Sequence, residues 1–312
     1  MTVLILFFLI AGMMICFARR LTVSGERLGD VLGMEASWVG ALLLASITSL
    51  PELIVGVSSV FLGNHSMAVS NIFGSNIFNV FIIFLMDIFI LRRFIFMSSI
   101  DGDEGRKLSK LSLVLIVLFL GGYLMRDVSV LGQSPFILGI ILLYLRFIRS
   151  EGGQGSRERR PFSEIMGPLK SFLLDSTGVV VLGIALSRVA DTLSITPIMG
   201  WVLGQSLVGG LLLAVSTSLP ELIVSIESVR RGGFQQAMGN ILGSNLFNLG
   251  TLFILDIFTK GSLFSHLGDF NTALPLMDIA MQVIFITGIC FRRKEASLLM
   301  GAVYAISLYF II

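Results

Sequence analysis

The sequence predicts an all-α integral membrane protein with ten transmembrane helices, arranged as two inverted five-helix repeats. Of its 312 residues 55% are hydrophobic and 13% are charged, whereas a soluble domain carries about 25% charged residues. Apolar runs of about 20 residues, enough to cross roughly 30 Å of hydrocarbon, recur along the chain. Because these runs are continuous and do not alternate with polar residues, they favour membrane helices over a barrel.

The ten predicted spans follow one another from end to end of the chain. They cover residues 2–18, 37–62, 67–91, 108–126, 134–149, 168–190, 198–229, 234–259, 272–291 and 296–312. The first span has no Lys or Arg before Arg19, so it lacks the basic region of a cleaved signal peptide and is interpreted as a membrane helix.

The distribution of basic residues predicts the orientation of the chain. With ten spans, one set of loops carries nearly all of the 22 Lys and Arg residues, and only Arg126, Arg188 and Lys260 fall on the other side. Cytoplasmic loops are the ones enriched in Lys and Arg. The pattern therefore predicts that both termini lie outside.

The two halves of the chain repeat each other. At a constant offset of 169 residues, 29 of the 51 residues in 39–89 are identical to those in 208–258. We therefore divide the chain into a first repeat (1–149), a Gly-rich, charged cytoplasmic linker (150–167) and a second repeat (168–312). Because each repeat has five helices, the second enters the membrane from the opposite side, an arrangement typical of transporters.

Two repeated helix faces carry carboxylates into the membrane. The first face consists of Ala45, Thr48, Ser49 and Glu52, at positions i, i+3, i+4 and i+7. The repeat supplies Ala214, Thr217, Ser218 and Glu221. An acidic side chain inside an apolar span is costly unless it is paired, protonated or bound to a cation, so each glutamate is a functional candidate.

A proline stands directly before each glutamate, at Pro51 and Pro220. Proline inside a helix removes an N–H and displaces the carbonyl four residues earlier, which makes backbone oxygens near Thr48 and Thr217 available. Carboxylates, carbonyls and hydroxyls are the hard oxygen ligands that Ca²⁺ prefers, and they also suit Na⁺.

The next helix of each repeat carries a polar stripe that can face the glutamates. The two stripes are Asn71, Ser75 and Asn79, and Asn240, Ser244 and Asn248. Taken singly, such residues often serve as hydrogen-bonding contacts between membrane helices, and Gly74 and Gly243 can serve close helix packing alone. Their duplication beside paired glutamates favours an ion site.

Other polar residues have weaker patterns. Asp175 and Asp278 lie within predicted spans without a counterpart, either as functional groups or beside a water-filled crevice. Asp87 and Asp256 are duplicated at helix ends, which favours a structural or capping role, and His65 and His266 fall in predicted outer loops. Cys16 and Cys290 lack metal-ligand spacing, which indicates packing or lipid-facing roles.

The repeated segments resemble the two α-repeats of the sodium/calcium exchangers of the calcium:cation antiporter superfamily. The resemblance rests on TSLPE at 48–52 and 217–221 and on GSN at 74–76 and 243–245. It implies a mid-membrane site with Glu52 and Glu221 as Ca²⁺ ligands, completed by the carbonyls of Thr48 and Thr217. It implies further sites, for Na⁺ or shared, at Ala45, Ser49, Ser75, Asn79, Ala214, Ser218, Ser244 and Asn248. The first and sixth helices would form a sliding gate.

Two features depart from that family's pattern. Ile47 and Ser216 stand where Gly commonly precedes the threonine. Asn248 stands where many relatives carry Asp, so the site has two acidic groups instead of three, and potassium dependence is not expected. Asn at both 79 and 248 is also similar to some proton/calcium exchangers.

We therefore predict a secondary active antiporter that exchanges Ca²⁺ for Na⁺ by alternating access. A proton/calcium antiporter and a passive cation channel remain as alternatives. No enzyme activity and no cofactor are expected, because neither histidine lies in a predicted span where a membrane protease would need one. The expected partners are the lipid bilayer of a plasma (inner) membrane and the transported ions, with no nucleic acid and a monomeric chain.

Overall fold

The computed structural model describes residues 2–91, 96–100, 102–128, 134–151, 162–195, 197–198, 201–202, 216–268, 270, 272–292 and 295–311. Within these residues, regular structure is helical except for one pair of two-residue strands.

The first half of the chain is a series of helices with one broken member. In order, it contains α1 (Thr2–Leu32), α2 (Ala36–Trp38), a π-helical segment (Val39–Leu44), α3 (Ala45–Thr48), α4 (Leu50–Phe61), α5 (His65–Leu85), a second π-helical segment (Met86–Leu91), α6 (Phe96–Ser99), α7 (Gly102–Leu124) and α8 (Pro135–Glu151).

The second half has the same character. It contains α9 (Phe162–Ile195), β1 (Pro197–Ile198), β2 (Trp201–Val202), α10 (Leu219–Arg230), α11 (Phe234–Phe258), a 3₁₀ turn (Leu263–His266), α12 (Ala273–Phe291) and α13 (Glu295–Ile311). The strands pair antiparallel, with Pro197 opposite Val202.

Six helices in the described part of the chain are long and apolar enough to cross a membrane. The number is seven if Ala36–Thr48 and Leu50–Phe61, which meet at a bend of 41°, form one broken span. Large apolar side chains such as Phe8, Leu124 and Phe291 stay 65% or more exposed, as lipid-facing residues do. The prediction of an all-α membrane protein is confirmed, and ten spans remain a prediction.

At three places the ends of the regular elements differ from the predicted span boundaries. Helix α1 does not end at residue 18 but continues to Leu32, because Arg19 and Arg20 extend it and form ion pairs with Glu227 and Asp175. The sixth helix starts at Phe162, before Pro168. The seventh span does not start as a helix at 198, because Pro197 and Ile198 form strand β1.

Helix α11 lies at the centre of the packed core, and glycines bring it against the first broken helix. A Cβ at Gly239 would lie 2.1 Å from the Ser37 carbonyl oxygen, and one at Gly243 would lie 2.5 Å from Ala41 Cα. From the other side, a Cβ at Gly40 would lie 2.1 Å from the Gln236 carbonyl oxygen. Gly243 therefore has the packing role expected of small residues between membrane helices; around Gly74 the described residues leave open space.

Helices α1 and α9 pack on each other beside this core. Gly178 of α9 accommodates the Phe17 ring, since a Cβ there would lie 2.1 Å from it, and Gly183 accommodates the Pro51 ring at 2.6 Å. Helix α9 therefore contacts the break between α3 and α4, where the predicted ion ligands lie.

Candidate functional site

Two hydrogen bonds cross between the halves of the chain at the predicted ion site. Ser49 Oγ donates to Glu221 Oε1 at 2.9 Å, and Ser218 Oγ donates to Glu52 Oε1 at 3.2 Å. Each TSLPE serine therefore contacts the glutamate of the other TSLPE segment. The two carboxylates predicted from the repeated motifs are brought into one site.

The local backbone explains how these side chains come together. Ser49 and Ser218 adopt nearly identical conformations, with φ/ψ of −89°/3° and −91°/12°. A proline occupies the second residue of the following helix in each case, where its missing N–H costs nothing. Each glutamate thus falls in the first turn of α4 or α10, where the positive end of the helix dipole favours an anion.

One oxygen of each glutamate is left for a ligand. Glu52 and Glu221 are 2% and 1% exposed, and neither Oε2 atom has a hydrogen-bond partner among the described residues. Ion pairing offers no compensation either, since the described part of the chain contains no salt bridge to Glu52 or Glu221. A buried carboxylate without a partner is costly, so the site favours a cation.

The polar stripes of α5 and α11 add further buried oxygens. Within the described residues, five buried acceptor atoms on these stripes have no hydrogen-bond partner: Ser75 Oγ, Asn79 Oδ1, Asn240 Oδ1, Ser244 Oγ and Asn248 Oδ1. Both stripes lie on helices that pack against α4, and α11 also packs against α3 and α10. Neutral oxygens of this kind are ligands for Na⁺ and Ca²⁺.

The remaining predicted site residues are placed as follows. Ala45, Thr48 and Thr217 are fully buried, and the threonines approach the carboxylates of the opposite half. Thr48 Oγ1 also donates to the Ala45 carbonyl oxygen at 3.3 Å. Ala214 lies outside the described residues. In that part of the chain, no three His, Cys, Asp or Glu side chains converge, so the site is built on two acidic groups supplemented by neutral oxygens.

The polar stripes contain a contact that the sequence analysis missed. Asn76 and Asn245, the asparagines of the two GSN motifs, bind each other's helices: Asn245 Nδ2 donates to the Asn76 carbonyl oxygen at 3.1 Å and Asn76 Nδ2 approaches that of Asn245 at 3.5 Å. Each also accepts from a predicted ligand of the other half, Asn76 Oδ1 from Asn248 and Asn245 Oδ1 from Asn79. Their duplication in GSN was the available signal.

The unduplicated aspartates have different surroundings. Asp278, fully buried on α12, accepts from Asn76 Nδ2 at 3.0 Å and from Gln282 Nε2 at 3.3 Å, so it contacts the GSN asparagine of α5. Asp175 forms an ion pair of 2.9 Å with Arg20, which joins α9 to α1 away from the glutamates.

The structural role expected for Asp87 and Asp256 is confirmed. Asp87 Oδ1 accepts from the Phe96 backbone N–H at 3.0 Å, and Asp256 Oδ1 from that of Leu263 at 2.6 Å. Each carboxylate therefore fixes the segment that follows its helix. The rings of His65 and His266 lie 4.7 Å apart at centroid, so the two loops predicted on the outer side meet.

Comparison with known proteins agrees with this geometry. The chain matches the family described as sodium/calcium exchanger protein over residues 2–148 and 171–312. It is 27% identical over 302 residues to the inner membrane protein YrbG of Escherichia coli, covering 92% of this chain and 88% of that one. It is 26% identical to the putative antiporter CaxA of Alkalimonas amylolytica, covering 78% and 76%.

Solved structures with the same fold are those of the sodium-calcium exchanger NCX_Mj. The crystal soaked with 2.5 mM Na⁺ and 10 mM Sr²⁺ matches with a TM-score of 0.73 at 19% identity, covering 99% of both chains. The crystal with zero Na⁺ and Ca²⁺ matches with a TM-score of 0.71 at 19% identity, covering 100% and 99%. Together with the crossed serine–glutamate contacts, the family match identifies this chain as a member of the sodium/calcium exchanger protein family of membrane antiporters.

Proposed function

We propose that this protein exchanges Ca²⁺ for Na⁺ across the membrane by alternating access. The observation that carries the proposal is the pair of buried glutamates, each held by the serine of the other half and each with one oxygen that has no hydrogen-bond partner among the described residues. A divalent cation bound between them would neutralise both charges. The resemblance of TSLPE and GSN to the family's α-repeats implies the same ligands.

In this proposal Glu52 and Glu221 bind Ca²⁺ together with the carbonyls of Thr48 and Thr217. Uncharged residues would bind Na⁺, or would be shared between Na⁺ and Ca²⁺. They are Ala45, Ser49, Ser75, Asn79, Ser218, Ser244 and Asn248, with Ala214 as an eighth. Because Asn248 provides no charge, two carboxylates must balance every bound ion. Ca²⁺ and Na⁺ would therefore compete for the same glutamates.

Competition for one pair of charges explains coupling. Two ionised glutamates without a cation repel each other and are expensive to bury in low dielectric, so the empty site resists occlusion. Binding of Ca²⁺ or of Na⁺ removes that penalty and allows the site to close on one side of the membrane and open on the other. Transport of one ion in one direction then requires the other ion in the return step.

We further propose ten spans in two inverted repeats, 1–149 and 168–312, joined by a cytoplasmic linker at 150–167, with both termini outside. Contacts between loops support this topology, since they join segments assigned to the same side. His65 meets His266 on the predicted outer side, and Arg231 meets Glu26 on the predicted inner side. Helices α1 and α9, which pack on each other and of which α9 also contacts Pro51, would be the sliding pair. The E. coli relative's description as an inner membrane protein supports a plasma-membrane location.

Proteoliposome transport tests the proposal. Purified protein is reconstituted into vesicles loaded with Na⁺, and uptake of ⁴⁵Ca²⁺ is compared with that into matched vesicles loaded with K⁺ or given only a pH gradient. We expect uptake only with internal Na⁺. Uptake driven by the pH gradient alone would replace Na⁺ with H⁺ as the counter-ion, and uptake independent of both gradients would indicate a channel.

A further inference from the structure

Asp278 is a buried carboxylate that the proposed ion site does not use. Its side chain is fully buried on α12, and the described residues include no ion pair to it. Its two oxygens accept from the amides of Asn76 and Gln282. An acidic group kept in this position without a charge partner needs a function.

The contact with Asn76 fixes the direction of an amide. A side-chain amide can present either its oxygen or its nitrogen, and its partners decide which. The Asp278 carboxylate accepts from Asn76 Nδ2 at 3.0 Å, so Asn76 Oδ1 points the other way, where it accepts from Asn248 Nδ2 at 3.2 Å. Asn248 Oδ1 is thereby left as a buried acceptor without a partner in the described part of the chain.

The other half achieves the same result without an acid. Asn245 Nδ2 donates to the Asn76 carbonyl at 3.1 Å, and Asn245 Oδ1 accepts from Asn79 Nδ2 at 3.0 Å, which leaves Asn79 Oδ1 free among the described residues. The reciprocal distance from Asn76 Nδ2 to the Asn245 carbonyl is 3.5 Å, too long for a strong bond. Asp278 supplies the acceptor that this half otherwise lacks.

We propose that Asp278 is a positioning residue that acts through Asn76 to turn the Asn248 side-chain oxygen toward a bound Na⁺. This inference rests on the proposed function and deepens it, since it assigns a role in counter-ion binding to a residue outside the repeated motifs. The three residues Asp278, Asn76 and Asn248 form what we call the amide relay.

The relay predicts that one substitution weakens Na⁺ binding in the wild-type background but not in an Asn248→Asp background. Asp278→Asn gives Asn76 a partner that can donate or accept, so both amide directions become possible and the Asn248 oxygen is no longer reserved for Na⁺. We expect Na⁺ affinity to fall about fivefold, the scale of one hydrogen bond, with Ca²⁺ affinity changing less than about twofold. In an Asn248→Asp background, the introduced carboxylate competes with Asp278 for Asn76 Nδ2. There, Asp278→Asn removes the competition and should not weaken Na⁺ binding.

The measurement is the Na⁺- and Ca²⁺-dependent rise in Tm of the purified full chain in detergent, which reports binding without transport. Asp256→Asn is the matched control, because Asp256 is a buried carboxylate on the same helix as Asn248 and its capping oxygen is retained in Asn. This control should leave unchanged the Na⁺ and the Ca²⁺ concentrations at which half of the rise in Tm is reached. Where Asp278→Asn gives no folded protein, Asn76→Ala, which removes the centre of the relay, is measured instead and should weaken Na⁺ selectively.

Weaker Na⁺ binding by Asp278→Asn in both backgrounds would reduce Asp278 to a source of negative charge and overturn the relay. Equal shifts for Na⁺ and Ca²⁺, no shift in Asn76→Ala, or no effect of Na⁺ on the wild-type Tm would also overturn it. Failure of the proposed function is separate, because it would appear as Na⁺-dependent stabilisation without Na⁺-driven ⁴⁵Ca²⁺ uptake.

Discussion

Arg231 binds Glu26 through two nitrogens, with Nη2 2.8 Å from Oε2 and Nε 3.1 Å from the same oxygen. The pair ties the end of α10, which carries Glu221, to α1, the proposed sliding helix. Hydrogen bonding to Glu26 raises the pKa of the Arg231 guanidinium above its ordinary value, so the guanidinium stays charged at physiological pH. A second ion pair, Arg19 with Glu227 at 3.5 Å, joins the same two helices.

We predict that Glu26→Gln and Arg231→Gln change the rate of exchange and leave the half-saturating Ca²⁺ concentration within about twofold. The pair lies away from the ion ligands and is partly exposed, so its contribution to stability is about 1 kcal/mol or less. If α1 slides against α10, breaking the pair changes the equilibrium between the state that is open to the outside and the state that is open to the inside. The charge-reversed double variant Glu26→Arg/Arg231→Glu should return the rate toward wild type. Initial rates of ⁴⁵Ca²⁺ uptake would test this, and unchanged rates in all three variants would contradict a sliding contact here.

Replacing either glutamate by its isosteric amide should nearly abolish exchange. Glu52→Gln and Glu221→Gln each remove one of two buried charges that balance the cation, a loss of roughly 3 kcal/mol or more, equivalent to about 100-fold in Ca²⁺ affinity. Because each glutamate accepts a hydrogen bond from the serine of the other half, the two variants should behave alike. Glu227→Gln, on the same helix as Glu221 but paired with Arg19, is the control and should retain binding. Calcium titration of purified protein provides the measurement; normal affinity in either amide variant would reject the assignment.

Removing either crossing hydroxyl should weaken Ca²⁺ binding without abolishing it. Ser49→Ala and Ser218→Ala each delete one hydrogen bond to a carboxylate, a contribution of about 1.5 to 3 kcal/mol, so we expect affinity to fall roughly 10-fold or more. Ser59→Ala tests the specificity of this effect, because the Ser59 hydroxyl donates only within its helix, to the Val55 carbonyl at 3.0 Å. Similar affinities in all three variants would show that the crossing contacts do not support the ligand site.

The main features of this site could be predicted from sequence because they depend on local rules. Proline before glutamate, helical spacing and duplication were sufficient to predict Glu52 and Glu221 as candidate ligands, and the structure brings both into one buried site. The reciprocal contacts of Ser49 and Ser218 could not be predicted, since they depend on how two segments 169 positions apart meet. Asp278 had no counterpart to mark it, and the role we propose for it rests on its contact with Asn76, which only the structure shows.

In the fold, too, the features set by local sequence could be predicted and those set by contacts between distant segments could not. The apolar runs indicated the membrane helices, but not where α1 ends, because its last turns are polar and are held by ion pairs with other helices. The π-helical segment at Val39–Leu44 was not predicted either. This segment packs against α11, where Gly239 and Gly243 let two backbones approach, and helical periodicity in the sequence does not report such contacts.

That close approach leads to a stability prediction. Gly239→Ala places a methyl group 2.1 Å from the Ser37 carbonyl oxygen, so the backbones of α11 and α2 must move apart. Overpacking of this kind costs about 1 to 3 kcal/mol or more, and we expect a lower Tm in detergent with a smaller folded yield. Gly12→Ala is the matched control, since Gly12 has no described atom within 4 Å of its added Cβ and alanine is the better helix former. Thermal unfolding of both variants checks the expectation. Equal Tm values would mean that the helices separate at the α11 contact without a loss of stability. A lower Tm confined to Gly239→Ala would establish this contact as the rigid part of the core that holds Asn248 and the polar stripe of α11.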